Sequence, residues 1–313
     1  MLARSLASRP LGALGARLRP SSRPLHKVPW CPRRWQVQND IDGTIAGNGT
    51  AVTRAAAESL AHVCGPRPVD PAEVRSTFAR CGSKVTALRH LIAIRAPGAS
   101  AAELDARARA AHALFERKVL AYSVNDSGRL HPEVLPAMER VRSRLPGVSF
   151  ATTSGFSSAV GQRIRLLLVE QGYSDAGCAF SDQVPEGEAK PRPGMLLRCM
   201  RAEGLEPHQV VKVGDNVADV QEARAAGSWS VAVVRNSSMR STSSGDSPSA
   251  QQRDLLAVRN ELARAGAHAV VLSYAEVPDA LFAFDDFSAD LDPEVDLRRA
   301  PELFALESPL SVL

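Results

Sequence analysis

From Asn125 to Val234 the chain alternates short apolar runs with stretches of helical periodicity. Helices are expected over Glu133 to Leu145, Ser158 to Gln171, Met195 to Ala202 and Ala218 to Ala226, with strands at Val148 to Thr153, Cys178 to Phe180, Val210 to Val213 and Ser230 to Val234. Parallel neighbours in a sheet need a crossover, and helices supply it, so this rhythm predicts an α/β fold with a parallel sheet and helices on both faces. A helix from Leu255, a strand over Ala267 to Leu272 and a helix over Tyr274 to Phe284 extend it. In such sheets ligands sit beyond the carboxyl ends of the strands, where Asp40, Ser154 and Asp215 all fall. One element fits poorly: residues 34–39, Arg-Trp-Gln-Val-Gln-Asn, make an unpromising buried strand, because central parallel strands are usually continuous apolar runs.

Residues 55–123 read as an all-helical insert that divides the α/β core into 35–54 and 124–284. Asp70-Pro71-Ala72-Glu73 combines a cap, a proline at the first helical position and an early acid, which together start a helix. Val74, Phe78, Cys81, Val85, Leu88 and Ile92 then form one apolar face, with Gly82 a possible interruption. Ser100-Ala101-Ala102-Glu103 opens a second, Ala-rich helix toward Tyr122.

Two acidic motifs stand at expected strand ends: Asp40-Ile41-Asp42-Gly43-Thr44, and Gly214-Asp215-Asn216-Val217-Ala218-Asp219 about 170 residues later. Carboxylates paired in this way are what Mg²⁺-assisted phosphoryl transfer requires. On these residues the chain resembles the haloacid dehalogenase superfamily. The resemblance implies a Rossmann-like core with an inserted helical cap. It implies that Asp40 attacks phosphorus, and that Mg²⁺ is held by Asp40, Asp215 and the main-chain carbonyl of Asp42, with Asp219 reached through water. Ser154, with Thr153 as the near alternative and Gly155 beside it, matches the phosphoryl-binding segment, and Lys190 matches the cation that offsets charge at the nucleophile. Taken singly these residues have ordinary readings too: a turn for D-x-D-G, a helix N-cap for Ser154, a solvated loop for Lys190.

Within the superfamily, the stretches Val211 to Asp219 continuing to Val231, Ser154-Gly155-Phe156 with Asp182 to Gly187, and Val258-Arg259-Asn260 with Ala265 to His268 resemble the phosphonoacetaldehyde hydrolase branch. That branch cleaves a carbon–phosphorus bond after a cap lysine forms a Schiff base with the substrate aldehyde. Lys84 matches the cap lysine; without the resemblance its ordinary reading is a lysine whose stem covers a helix edge. Asp42 matches the acid that protonates the leaving oxygen in superfamily phosphatases, so a phosphate-ester phosphatase using Asp40 and Asp42 is the alternative. A weakly active binding protein that keeps the fold is a third. The branch also implies a homodimer through the cap.

The formal charge of +4 is misleading, because residues 1–39 hold seven Arg and one Lys with no acid, which leaves 30 basic against 34 acidic residues elsewhere. No nucleic-acid footprint is expected, nor a membrane span; the partner expected is a small phosphonate or phosphate. The leader, residues 1–34, is rich in Arg, Ser, Ala and Leu, as an organellar transit peptide is, with the mitochondrion expected ahead of the plastid or a cytoplasmic location. Five scattered cysteines imply neither a disulfide frame nor a zinc site. The Ser-rich stretch Asn236 to Gln252 is expected to be a mobile loop, and the acidic residues 285–313 a poorly ordered tail.

Overall fold

The computed structural model describes residues 34–47, 51–81, 83–123, 128–241 and 245–288; the leader before Arg34, Gly82 and most of the expected tail lie outside them. After strand β1 (Gln36–Asn39) come four helices: α1 (Ala51–Cys64), α2 (Pro71–Cys81), α3 (Lys84–Arg95) and α4 (Ala101–Ser123). The rest alternates: α5 (Val134–Arg144), β2 (Ser149–Ser154), α6 (Ser158–Val169), β3 (Gly177–Phe180), α7 (Gly194–Glu203), β4 (Val210–Gly214), α8 (Val217–Ala226), β5 (Trp229–Val233), α9 (Pro248–Arg264), β6 (Ala269–Val271) and α10 (Val277–Ser288). All six strands are parallel, in the order β3-β2-β1-β4-β5-β6. The chain runs outward from β1 to β3, then returns to β1's other side at β4. Asn39 is in register with Thr152 and Val213, so Asp40, Ser154 and Asp215 leave the sheet at one edge, at the switch of direction.

Period-2 alternation sorts the side chains of β4 onto two faces. Val211 and Val213 join a core with Met138 of α5, Ile164 of α6 and Leu281 of α10, whereas Val210 packs with Leu196 and Met200 of α7. Lys212 shares the face of Val210.

β1 is fully buried at the sheet centre although three of its four residues are amides. Most of their polar groups find partners: Gln38 Nε2 donates to Gln36 Oε1 at 2.6 Å and to the Leu196 carbonyl at 3.3 Å, and Asn39 Nδ2 donates to Tyr173 Oη at 3.2 Å, while Gln38 Oε1 has no hydrogen-bond partner among the described residues. Side-chain pairing of this kind removes most of the penalty for burying amides, and it makes residues 36–39 a central strand where the apolar rule predicted a poor one.

The expected core–insert join at 54/55 lies inside α1. The apolar face from Val74 to Ile92 belongs to two helices. α2 ends at Cys81, and Ser83 caps α3, its Oγ accepting from Thr86 N at 3.4 Å. Lys84 therefore opens a helix. Ser100 and Glu103 form the expected reciprocal cap of α4, Glu103 Oε2 accepting from Ser100 N at 2.8 Å and Ser100 Oγ from Glu103 N at 3.3 Å. α4 packs on α1 and α3.

Two further expectations are corrected. α9 starts at Pro248, inside the stretch read as a loop, because Ser247 Oγ caps it by accepting from Ala250 N at 3.3 Å. α10 runs to Ser288, past the expected start of the tail at 285, and Asp285 accepts a 2.8 Å hydrogen bond from Trp35 Nε1. Among the described residues the four cysteines are free, and no helix is long and apolar enough to cross a membrane.

Candidate active site

Asp40 follows β1 directly, its N–H donating to the Val213 carbonyl at 2.9 Å. Ile41 and Ile45 are wholly buried and anchor the loop, while Ala46 N closes it onto the Ile41 carbonyl at 3.0 Å. Gly43 has φ +77°, and a Cβ there would stand 2.5 Å from Asp215 Oδ2, so glycine is required on both conformational and steric grounds. Gly214 ends β4 for a related reason: a Cβ would lie 2.3 Å from the Asp219 Cβ. The Gly-Asp-x-x-x-Asp spacing thus brings Asp219, on the first turn of α8, back over the end of its own strand.

Asp40, Asp42, Ser154, Gly155 and Lys190 from the core and Val74, Arg75, Phe78 and Lys84 from the helical insert line one cavity of about 40 Å³. Lys190, 4% exposed, donates to Asp40 Oδ1 and sits 2.7 Å from Asp219 Oδ1. Lys84 Nζ lies over two rings, 5.0 Å from the Phe78 centroid and 5.2 Å from that of Phe156, and makes no ion pair among the described residues. Thr153 is not available to the cavity in the same way, because its Oγ1 accepts a 2.6 Å bond from Lys212. Of the two, Ser154 lines it, beside Thr53 and Ser238.

Burial pushes Asp215 up to about 8, with repulsion from Asp219 and Asp40 adding to it. Burial also acts to raise Asp219, but Lys190 and Lys212 outweigh it and hold that carboxyl down at about 2. Lys190 correspondingly lies well above the ordinary lysine value: burial opposes its charge, and Asp219 and Asp40 overcome that. Asp42 is pushed up to about 7 by burial, with Lys84 pulling the other way, and neither of its carboxylate oxygens has a hydrogen-bond partner among the described residues.

Sequence reasoning missed several members. Ser238 donates to Asp215 Oδ2 from both N and Oγ at 2.6 Å, and Ser237 Oγ to the Asp215 carbonyl at 2.6 Å, so the start of the Ser-rich stretch is bound to the site. No local pattern announces that role. Lys212 did leave a signal: a lysine inside the apolar run Val210 to Val213.

A family model described as haloacid dehalogenase-like hydrolase matches residues 40–227. The chain belongs to the haloacid dehalogenase-like hydrolase family. Phosphonoacetaldehyde hydrolase of Bacteroides fragilis is 30% identical over 170 residues, 53% of this hydrolase and 63% of that protein. This hydrolase spans less than two thirds of the length of the curated relatives it matches. A phosphonoacetaldehyde hydrolase-like protein from Oleispira antarctica shares the fold with a TM-score of 0.66 at 18% identity, over 86% of this chain and 95% of that one. A putative phosphoglycolate phosphatase from Lactobacillus delbrueckii does so with a TM-score of 0.59 at 19% identity, over 80% and 99%.

Hydrolases of this family generally use Mg²⁺, and the residues fit it. Asp40, Asp215 and Asp219 each offer an oxygen within 4.8 Å of the others. Asp215 has no ion pair among the described residues, and burial together with repulsion from Asp219 and Asp40 pushes it up, a charge imbalance that a hard cation favouring carboxylates and water would offset. Asp40 and Asp215 would hold it, with Asp219, shared with two lysines, at the side. The Asp42 carboxylate lies outside this trio.

Proposed function

We propose that this hydrolase cleaves the carbon–phosphorus bond of phosphonoacetaldehyde with water, giving acetaldehyde and phosphate. The observation that carries the proposal is that Lys84, an amine with aromatic neighbours and no ion pair among the described residues, lines the same cavity as Asp40.

The Lys84 amine adds to the aldehyde carbon and water leaves, forming a protonated imine. Asp40 attacks phosphorus, the carbon–phosphorus pair flows into the imine, and an enamine remains on Lys84. Ser154 and Lys190 hold the phosphoryl oxygens during the transfer, and Lys190 keeps the Asp40 oxygen in place. Mg²⁺, when bound, offsets charge on Asp40 and the phosphoryl group. Protonation of the enamine carbon, hydrolysis of the imine and hydrolysis of the aspartyl phosphate return Lys84 and Asp40. Asp42, pushed up to about 7, can hold the proton that the enamine carbon takes.

That same carboxyl supports a second reading. An enclosed acid two residues from the nucleophile, with neither oxygen hydrogen-bonded among the described residues, is placed to protonate an ester leaving oxygen, as a phosphatase requires. The full chain, supplied with Mg²⁺, separates the two: acetaldehyde and phosphate are followed independently on phosphonoacetaldehyde, beside a panel of phosphate esters. Equal release of both products, abolished in Lys84→Arg, supports carbon–phosphorus cleavage. Ester hydrolysis without acetaldehyde, unchanged in Lys84→Arg, supports the phosphatase.

A further inference from the structure

Behind the cavity, on the sheet face shared by α7 and α8, five buried side chains alternate in charge. Glu222 Oε2 lies 3.6 Å from Lys212 Nζ, which lies 3.2 Å from Asp219 Oδ1. The same Asp219 oxygen is 2.7 Å from Lys190 Nζ, and Lys190 donates to Asp40. The series begins on α8, crosses β4 and ends on the candidate nucleophile. Glu222 is 0% exposed and Lys212 1%. Neither lines the cavity.

A lysine in a central parallel strand is costly to bury, and a glutamate with no hydrogen bond to its carboxylate oxygens among the described residues is costly as well. Their geometry shows what they hold. Lys190 stands between two carboxylates, and its position depends on where the Asp219 oxygen is fixed. Lys212 grips that oxygen from behind, the Asp215 N–H holds the other Asp219 oxygen at 3.3 Å, and Thr153 Oγ1, 2.6 Å away, fixes Lys212 from β2, on the other side of β1. Because Lys212 takes up part of the Asp219 charge, the Lys190 charge remains directed at Asp40.

We infer that Glu222 and Lys212 are positioning residues: through Asp219 they set Lys190 against Asp40, and they touch neither substrate nor metal. The inference rests on Asp40 being the nucleophile, as proposed above, but on neither choice of substrate. Turnover is therefore read on whichever of phosphonoacetaldehyde and p-nitrophenyl phosphate the wild type hydrolyses, and Asp40→Asn, run alongside, reveals failure of the nucleophile reading on its own.

The variant is Lys212→Met with Glu222→Gln, which removes both charges together and leaves neither partner alone. Melting temperature and Mg²⁺ affinity by calorimetry are measured beside the kinetics. The expected result is a kcat lower by about 10- to 100-fold, the scale of misplacing a catalytic group by up to an ångström, with KM, Mg²⁺ affinity and melting temperature little changed. An unchanged kcat in the folded variant overturns the inference. So does a loss of kcat matched by an equal loss of Mg²⁺ affinity, which would assign the pair to the metal site. If the double variant fails to fold, Glu222→Gln alone keeps the shape and is read by the same criteria.

Discussion

Tyr274 Oη donates to Asn39 Oδ1 at 2.9 Å, joining the end of the central strand to the turn that leads into α10. Asn39 uses its amide nitrogen on Tyr173 in the same buried space, so one short polar strand is held by two tyrosines from distant parts of the chain. Tyr274→Phe leaves the Asn39 oxygen enclosed without its donor. Denaturant unfolding is expected to show a loss of about 1–3 kcal/mol, the cost of one unsatisfied buried acceptor. Hydrolase activity of the folded variant should stay near wild type, because neither group lines the cavity.

Gly43→Ala strains a backbone at φ +77° and drives a methyl into Asp215 Oδ2. Relief requires Asp215 or the Asp40 loop to move by a sizeable fraction of an ångström, and misplacement on that scale costs up to about 100-fold in rate. Steady-state kinetics should show the loss mainly in kcat, with calorimetric Mg²⁺ affinity reduced as well.

Glu58 of α1 pairs with Lys118 of α4 and accepts from Tyr122 Oη at 2.9 Å. Its carboxyl is held down at about 2 against an ordinary 4.5, first by Lys118 and then by Arg54. A lowered value in the folded state stabilises the fold fully above about pH 4.5, and that contribution disappears as pH falls toward about 2. Urea unfolding across this window should fall less steeply with acid in Glu58→Gln than in wild type. High salt should narrow the difference, since the group is about a third exposed.

Asp215, pushed up to about 8, is largely protonated at pH 7 without a cation. Mg²⁺ requires the carboxylate, so binding should release protons at pH 7, and fewer as pH rises past about 8. Titration calorimetry in buffers of different ionisation enthalpy measures this directly, and Asp215→Asn should abolish most of the release.

Much of this architecture was legible because it is written locally. Apolar runs such as Val210 to Val213, and caps such as Ser100 to Glu103, carry their own periodicity, and the two acidic motifs sit where strand ends were expected. What escaped depended on distant partners. Gln38 and Asn39 look unsuited to a sheet centre until the Leu196 carbonyl, Tyr173 and Tyr274 are brought to them. Ser238 reads as one serine among many, and only the fold sets it on Asp215. Lys212 and Glu222 lie on neighbouring elements and meet only when α8 packs against β4. The break between Cys81 and Lys84 falls at the interruption that Gly82 suggested, although the apolar positions continue across it.

The most direct test of the account asks whether Lys84 becomes covalently bound to substrate. Full-length protein incubated with phosphonoacetaldehyde and reduced with borohydride should lose activity and carry its added mass on the Lys84 peptide, with no labelling in Lys84→Arg. Reduction that leaves activity and mass unchanged, in protein that hydrolyses phosphate esters, would contradict the Schiff-base account and leave Asp40 and Asp42 as the pair that acts.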